Sequence, residues 1–121
     1  MDRTLLFVGA LAGFIGVGLG AFGAHSLRGR LSAEMLAVFE TGVRYQMYHG
    51  LAILVTAVAL GFLDDRLLRL GGWLFTLGIV LFSGSLYALA LTGVTGLGLI
   101  TPLGGLAFLA GWALLMVAAL R

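Results

Sequence analysis

Apolar residues run in four long blocks along this chain, at 4–25, 46–63, 67–92 and 98–120, separated by short breaks. "DDR" is the tightest break and "TGVTGLG" the plainest. A hydrocarbon layer about 30 Å thick takes roughly 20 helical residues to cross. A helix is also the element that satisfies its own backbone donors and acceptors in lipid. Each block is therefore expected to cross a membrane as a helix. The first block is too long for a signal peptide and follows an acidic Asp2, so it is read as a span. The expected fold is an all-α integral membrane domain over 1–121, with four transmembrane helices in an antiparallel bundle.

The longest break has a pattern of its own. Ser32 is placed to cap a short helix over 33–41, with Leu31 and Leu36 as a staple and Glu34 in the first turn. Met35, Val38 and Phe39 fall on one face, which predicts an interfacial helix on the membrane surface between spans 1 and 2. Glu40 and Arg44, four apart, are spaced to pair, and Gly42 is expected to mark the bend into the second span.

Composition strengthens this reading: 61% of residues are hydrophobic, 10% are charged, and the mean hydropathy is +1.15. No soluble fold buries that much apolar surface. With no cysteine, thiolate metal sites and cysteine nucleophiles are excluded. The sequence pI of 9.7 reflects seven arginines against five acids. They form no basic cluster, which excludes nucleic acid as a partner. Arg3, Arg66, Arg69 and Arg121 fall on the side of the termini, and Arg28, Arg30 and Arg44 on the other. The 93–97 loop has no positive charge, so both termini are expected in the cytoplasm and the protein in the cell (inner) membrane.

Twenty glycines would be costly in soluble helices but serve close packing in lipid. Gly9, Gly13, Gly16, Gly20 and Gly23 recur every three or four residues and share a face of the first helix. Gly84 with Ala88 in the third run, and Gly104, Ala107 and Gly111 in the fourth, offer surfaces to receive it. The seam suits either internal packing or a homo-oligomer.

The polar residues are the candidate chemistry. His25 closes the first run, "TGVRYQMYHG" brings Arg44, Gln46 and His49 to the start of the second, and Ser83, Ser85 and Tyr87 lie late in the third. Thr101 opens the fourth. Antiparallel helices bring all of these to the membrane face opposite the termini, where a polar site for a small molecule or lipid head group is expected. His25 and His49 are placed to meet. The bland reading makes Tyr45 and Tyr48 belt residues, lets Arg44 snorkel, and has Gln46 and His49 tie helices together. Two histidines alone make a poor metal site without a third ligand, for which Glu40 on the surface helix is the one candidate, and bis-His haem ligation has no accompanying motif. Ser83-Gly84-Ser85 lacks the pattern of a hydrolase elbow. Thr101 and Pro102 read as a helix cap and first position. No cofactor, metal or catalytic residue is predicted.

"GAFGAH" (20–25), "TGVRYQMYH" (41–49), "LFSGSLYALAL" (81–91) and "TPLGGLAFLAGWALL" (101–115) follow one another over essentially the whole chain. Together they resemble the signature blocks of domain-of-unknown-function family 423, which includes YgdD-like bacterial inner-membrane proteins and animal transmembrane protein 256. The resemblance implies a small multi-pass membrane protein and supplies no reaction, substrate or cofactor. Its motif positions here are His25, Gln46, His49, Ser83, Ser85, Tyr87, Thr101, Pro102 and Trp112. Two functional readings follow. One is a binding or transport-related module using the polar site. The other is a structural or accessory subunit that engages a membrane-protein partner through its glycine-rich faces. An enzyme is the weakest reading, because no nucleophile stands beside a base.

Overall fold

A computed structural model describes residues 1–121, and the chain is helical almost throughout, with no strands. Helix α1 (Arg3–Phe22) starts at Asp2, whose carboxylate accepts the Leu5 amide at 3.1 Å. One π-helical turn, Gly23–Leu27, extends it. The chain then reverses through Gly29, whose φ of +86° suits a residue without Cβ. Helix α2 (Ala33–Ala59) is capped by Ser32, whose hydroxyl accepts the Met35 amide at 3.1 Å. Asp65 caps α3 (Arg66–Gly78) by accepting the Leu67 amide at 2.7 Å. A second π-turn, Ile79–Ser83, joins α3 to α4 (Gly84–Thr92), which ends at Gly93 with φ of +73°. A 3₁₀ turn over Thr95–Leu99 precedes α5 (Thr101–Leu120).

Three helical stretches are long and apolar enough to cross a membrane: Arg3–Leu27, Arg66–Thr92 and Thr95–Leu120. The fourth, α2, corrects the expectation of a separate interfacial helix. Residues 33–41 and the run that starts at 46 form one uninterrupted helix of 27 residues, with no break at Gly42. The reason lies in packing. Phe39 is 1% exposed, clustered with Leu27 and Ala90, so the apolar face meant for the bilayer surface is covered by the ends of α1 and α4. Gly42 serves close approach instead: a Cβ there would stand 2.7 Å from the Tyr87 ring. Glu40 and Arg44 are both exposed and do not pair.

Helix α1 lies against α2, α2 against α3 and α4, and α3 with the second π-turn against α5. Leu5, Ile53, Ala57, Phe75 and Phe108 form the centre of the main apolar cluster. The glycine face of α1 therefore meets α2, and not the third and fourth runs as the spacing suggested. A Cβ at Gly9 would lie 3.0 Å from the Gly50 carbonyl oxygen, and one at Gly50 would lie 3.2 Å from Ala12 Cβ. Gly16 stands against Met47, Gly20 against Val43 and Gly23 against Phe39. The third and fourth runs face each other: Gly104 abuts the Phe82 backbone, Gly78 the Phe108 ring, and Gly111 both Phe75 and the Gly71 carbonyl. At Gly13 and Gly84 an added Cβ would meet nothing within 4 Å.

The two termini and the 60–65 turn share one end of the molecule. There Asp2 pairs with Arg69, Arg69 also reaches Asp64 at 3.5 Å, and Arg121 reaches Asp65 at 3.5 Å. The Asp2 amide donates to the Ala57 carbonyl at 3.2 Å.

Candidate functional site

Most of the predicted polar residues come together, though not as a patch at one end. Gln46 is buried where α2 crosses α1 and α4. Its amide nitrogen donates to the Ala12 carbonyl at 2.9 Å, and its amide oxygen accepts the Tyr87 hydroxyl at 2.6 Å. Ser83 donates to the Gly42 carbonyl at 2.7 Å, tying the second π-turn to α2. The Ser85 hydroxyl donates to the Phe82 carbonyl at 2.9 Å and stands 2.6 Å from the Thr101 hydroxyl. With its proton so used, Ser85 accepts from Thr101. Thr101 is thus not the cap it was expected to be: Ile100 holds that position without a side-chain bond. The Thr101 hydroxyl ties α5 to α4 instead. Pro102 sits in the first turn, where no amide donor is needed.

His49 is buried at the far end of the group, 5% exposed. Its Nδ1 lies 2.8 Å from the Tyr45 carbonyl oxygen and its Nε2 lies 3.1 Å from the Trp112 indole nitrogen. A carbonyl only accepts and an indole N–H only donates, so His49 is the neutral tautomer protonated at Nδ1. The ring also stacks on Phe108, with centroids 3.5 Å apart and planes inclined by 7°.

His25 and His49 do not meet. Because α2 begins at Ala33, His49 lies about 24 Å along it at 1.5 Å per residue, while His25 is exposed in the π-turn at the end of α1. Arg44 is likewise exposed and takes no part in the network. The polar residues form a ladder from Ser85–Thr101 down to His49–Trp112, which spans about 16 Å along α5. Every buried side-chain nitrogen and oxygen on it has a partner. Both nitrogens of His49 are engaged in hydrogen bonds, and nowhere do three His, Asp or Glu side chains converge.

Beside this ladder, α2 and α5 diverge over the second π-turn and leave an open groove of about 750 Å³. Tyr45, Tyr48 and His49 form one wall, Gly105, Phe108 and Trp112 the other, and Phe82 contributes the floor. Aromatic contacts stiffen it: Tyr45 packs on Phe82 at 4.8 Å and Phe82 on Phe108 at 5.4 Å. A smaller cavity of about 380 Å³, with Gln46 and Tyr87 in its wall, lies between α1 and the α3–α4 pair. Residue types alone did not reveal the larger groove. Its signal was the spacing of three and four shared by 45, 48 and 49 and by 105, 108, 109 and 112, which puts aromatic rings on one face of each helix.

Residues 19–105 match the model of a family described as a protein of unknown function, DUF423. The chain is 48% identical over 124 residues to the UPF0382 membrane protein YwdK of Bacillus subtilis, covering 98% of each chain. It is 46% identical over 126 residues to the UPF0382 inner membrane protein YgdD of Escherichia coli, covering 99% of this chain and 92% of that one. A UPF0382 membrane protein of Staphylococcus haemolyticus is 47% identical over 119 residues, covering 98% of this chain and 97% of the relative. No solved structure matches. With relatives this similar over nearly their full length and three membrane-compatible helices, this chain is a membrane protein that belongs to the DUF423 family.

Proposed function

We propose that this protein is a small four-span module of the cell membrane that holds a chain-bearing amphiphile in the groove between α2 and α5. The observation that carries this reading is the contrast between two adjoining surfaces. The polar ladder is closed on itself, with all its buried side-chain donors and acceptors partnered, whereas the aromatic groove next to it is open. Ligand sites are concave, mostly apolar and edged by a few polar groups. Here Tyr45 and Tyr48 supply those groups: both are exposed on the groove wall, and neither hydroxyl has a partner within the chain. On this reading His49, Gln46, Ser83, Ser85, Tyr87 and Thr101 set the shape of the groove and do not themselves bind ligand.

The topology supports α2 as the fourth span. It runs from the end of α1 to the start of α3, which lie at opposite ends of the molecule, and its second half carries no charged residue and is apolar apart from His49 and Thr56. Its first half carries Glu34, Glu40 and Arg44, which suits an end that emerges from the bilayer. The distribution of arginines favours cytoplasmic termini.

A second reading, an accessory subunit of a larger membrane complex, is favoured by the closure of the ladder, which fits polar groups acting as glue between helices. Native mass spectrometry from lipid nanodiscs separates the two. A retained lipid mass that disappears in Gly105→Leu supports the groove. A bare chain, or an adduct indifferent to Gly105→Leu, contradicts it. Gly105 suits this test because it lines the groove and an added Cβ there meets nothing within 4 Å, so the substitution puts bulk into the groove without an immediate clash.

A further inference from the structure

We infer that the groove selects an anionic phospholipid, with the acyl chain lying along Tyr45, Phe108 and Trp112 and the phosphate held at the upper rim by Arg44. This rests on the groove reading above and names the ligand class. Arg44 adjoins Tyr45 in sequence and stands one helical turn before Tyr48, so it flanks the wall of α2 that lines the groove. It is exposed and unpaired: each of the three ion pairs in the molecule is made at the opposite end, by Arg69 or Arg121. Glu40, the acidic residue a turn above, does not engage it.

An arginine on a lipid-facing surface turns its guanidinium toward the head-group layer while its stem stays along the helix. At that level the N-terminus of α5 points into the same rim, since Pro102 lines the groove. The first turn of α5 carries no acidic residue and no side-chain cap. No side-chain charge offsets the positive end of its helix dipole. The Arg44 cation and the unpartnered Tyr48 hydroxyl supply the donors and the helix end adds positive potential, while the lining below them is mostly aromatic or aliphatic. That distribution complements a phosphate with a hydrocarbon chain beneath it. A zwitterionic lipid brings a second, positive group to the same rim and fits less well.

The chain has two tryptophans, so Trp73→Phe leaves Trp112 as the sole indole, inside the groove. This variant is reconstituted in phosphatidylcholine vesicles that contain either phosphatidylglycerol or phosphatidylcholine with brominated acyl chains at equal mole fraction, and Trp112 quenching is measured. One arginine near a membrane surface favours an anionic lipid by about five-fold. Quenching should therefore show a preference of that order for brominated phosphatidylglycerol, retained in Arg44→Lys and reduced to parity in Arg44→Gln. Parity before the arginine is changed, or a preference that survives Arg44→Gln, overturns the anionic assignment. If Gly105→Leu leaves quenching by both lipids unchanged, the groove itself is empty and the inference falls with it. Arg44 is exposed and makes no ion pair, so unaltered circular dichroism is expected in both Arg44 variants.

Discussion

The Trp112 indole donates to His49 Nε2 at 3.1 Å, across the boundary between α5 and α2. The groove opens between these helices, and this bond, the stack of His49 on Phe108 and the Tyr45–Phe108 contact fix their separation. Interhelical hydrogen bonds in membrane proteins contribute about 0.6 kcal/mol on average and up to about 1.7. Trp112→Phe should destabilise the fold by about that much. His49→Ala also removes a buried, stacked ring and should cost more, about 2–4 kcal/mol. Reversible unfolding in mixed micelles checks both, and the expected order is His49→Ala well above Trp112→Phe.

Gln46 joins three helices through two bonds, so its loss should be coupled to that of Tyr87. A double-mutant cycle between Gln46→Leu and Tyr87→Phe should return a coupling of about 0.6–1.7 kcal/mol. The same cycle between Gln46→Leu and Ser85→Ala, which share no hydrogen bond, should return a value near zero.

The glycines divide by what they face. Gly104→Ala drives a methyl group into the Phe82 backbone, which has no flexible end to give way, and should cost about 1–3 kcal/mol as overpacking does. Gly13→Ala and Gly84→Ala point into open space and should be neutral, or stabilising by up to about 1 kcal/mol from helix propensity. Melting temperatures in one detergent, measured on all three variants, test the contrast.

Asp2 has two tasks, capping α1 and pairing with Arg69 of α3. Asp2→Asn keeps an acceptor for the Leu5 amide but loses the charge pair. Asp2→Ala loses both and should be the more destabilising, by about 1 kcal/mol, the worth of a cap. Unfolding of the two variants at low and high salt checks this: salt should narrow the gap between wild type and Asp2→Asn but leave the gap between the variants.

The helices that lipid dictates were legible in the residues: 4–25, 67–92 and 98–120 correspond to the three long apolar helices because a membrane tolerates no polar break within them. Their caps could be read where one side chain meets its own first turn, as at Ser32. The extent of α2 could not, because Phe39 is covered by Leu27 and Ala90. Those partners lie far apart in sequence, and with them absent the same amphipathic face reads as a surface helix. The polar residues were recognisable by their cost in lipid, but their partners were set by rotation and depth. Moving the start of α2 up to Ala33 carries His49 away from His25 and down to Trp112. Arg44 was grouped with Gln46 and His49 by proximity along the chain, yet 100° per residue turns its side chain outward. The groove arises only where two aromatic faces diverge over a π-turn, and neither face announces the other.

The most direct test of the groove uses a phospholipid whose acyl chain carries a diazirine. The protein in nanodiscs containing this lipid is irradiated, and adducts are mapped by peptide mass. Leu106 and Leu109, on the α5 wall of the groove, are as exposed as Met116, which lies outside it, and Phe14 on α1 is more exposed still. A bound chain should concentrate adducts on Leu106, Leu109 and Tyr48, well beyond Met116 and Phe14, and Gly105→Leu should abolish that excess. Adducts that follow exposure alone, with Phe14 foremost and no effect of Gly105→Leu, would contradict a lipid-holding groove.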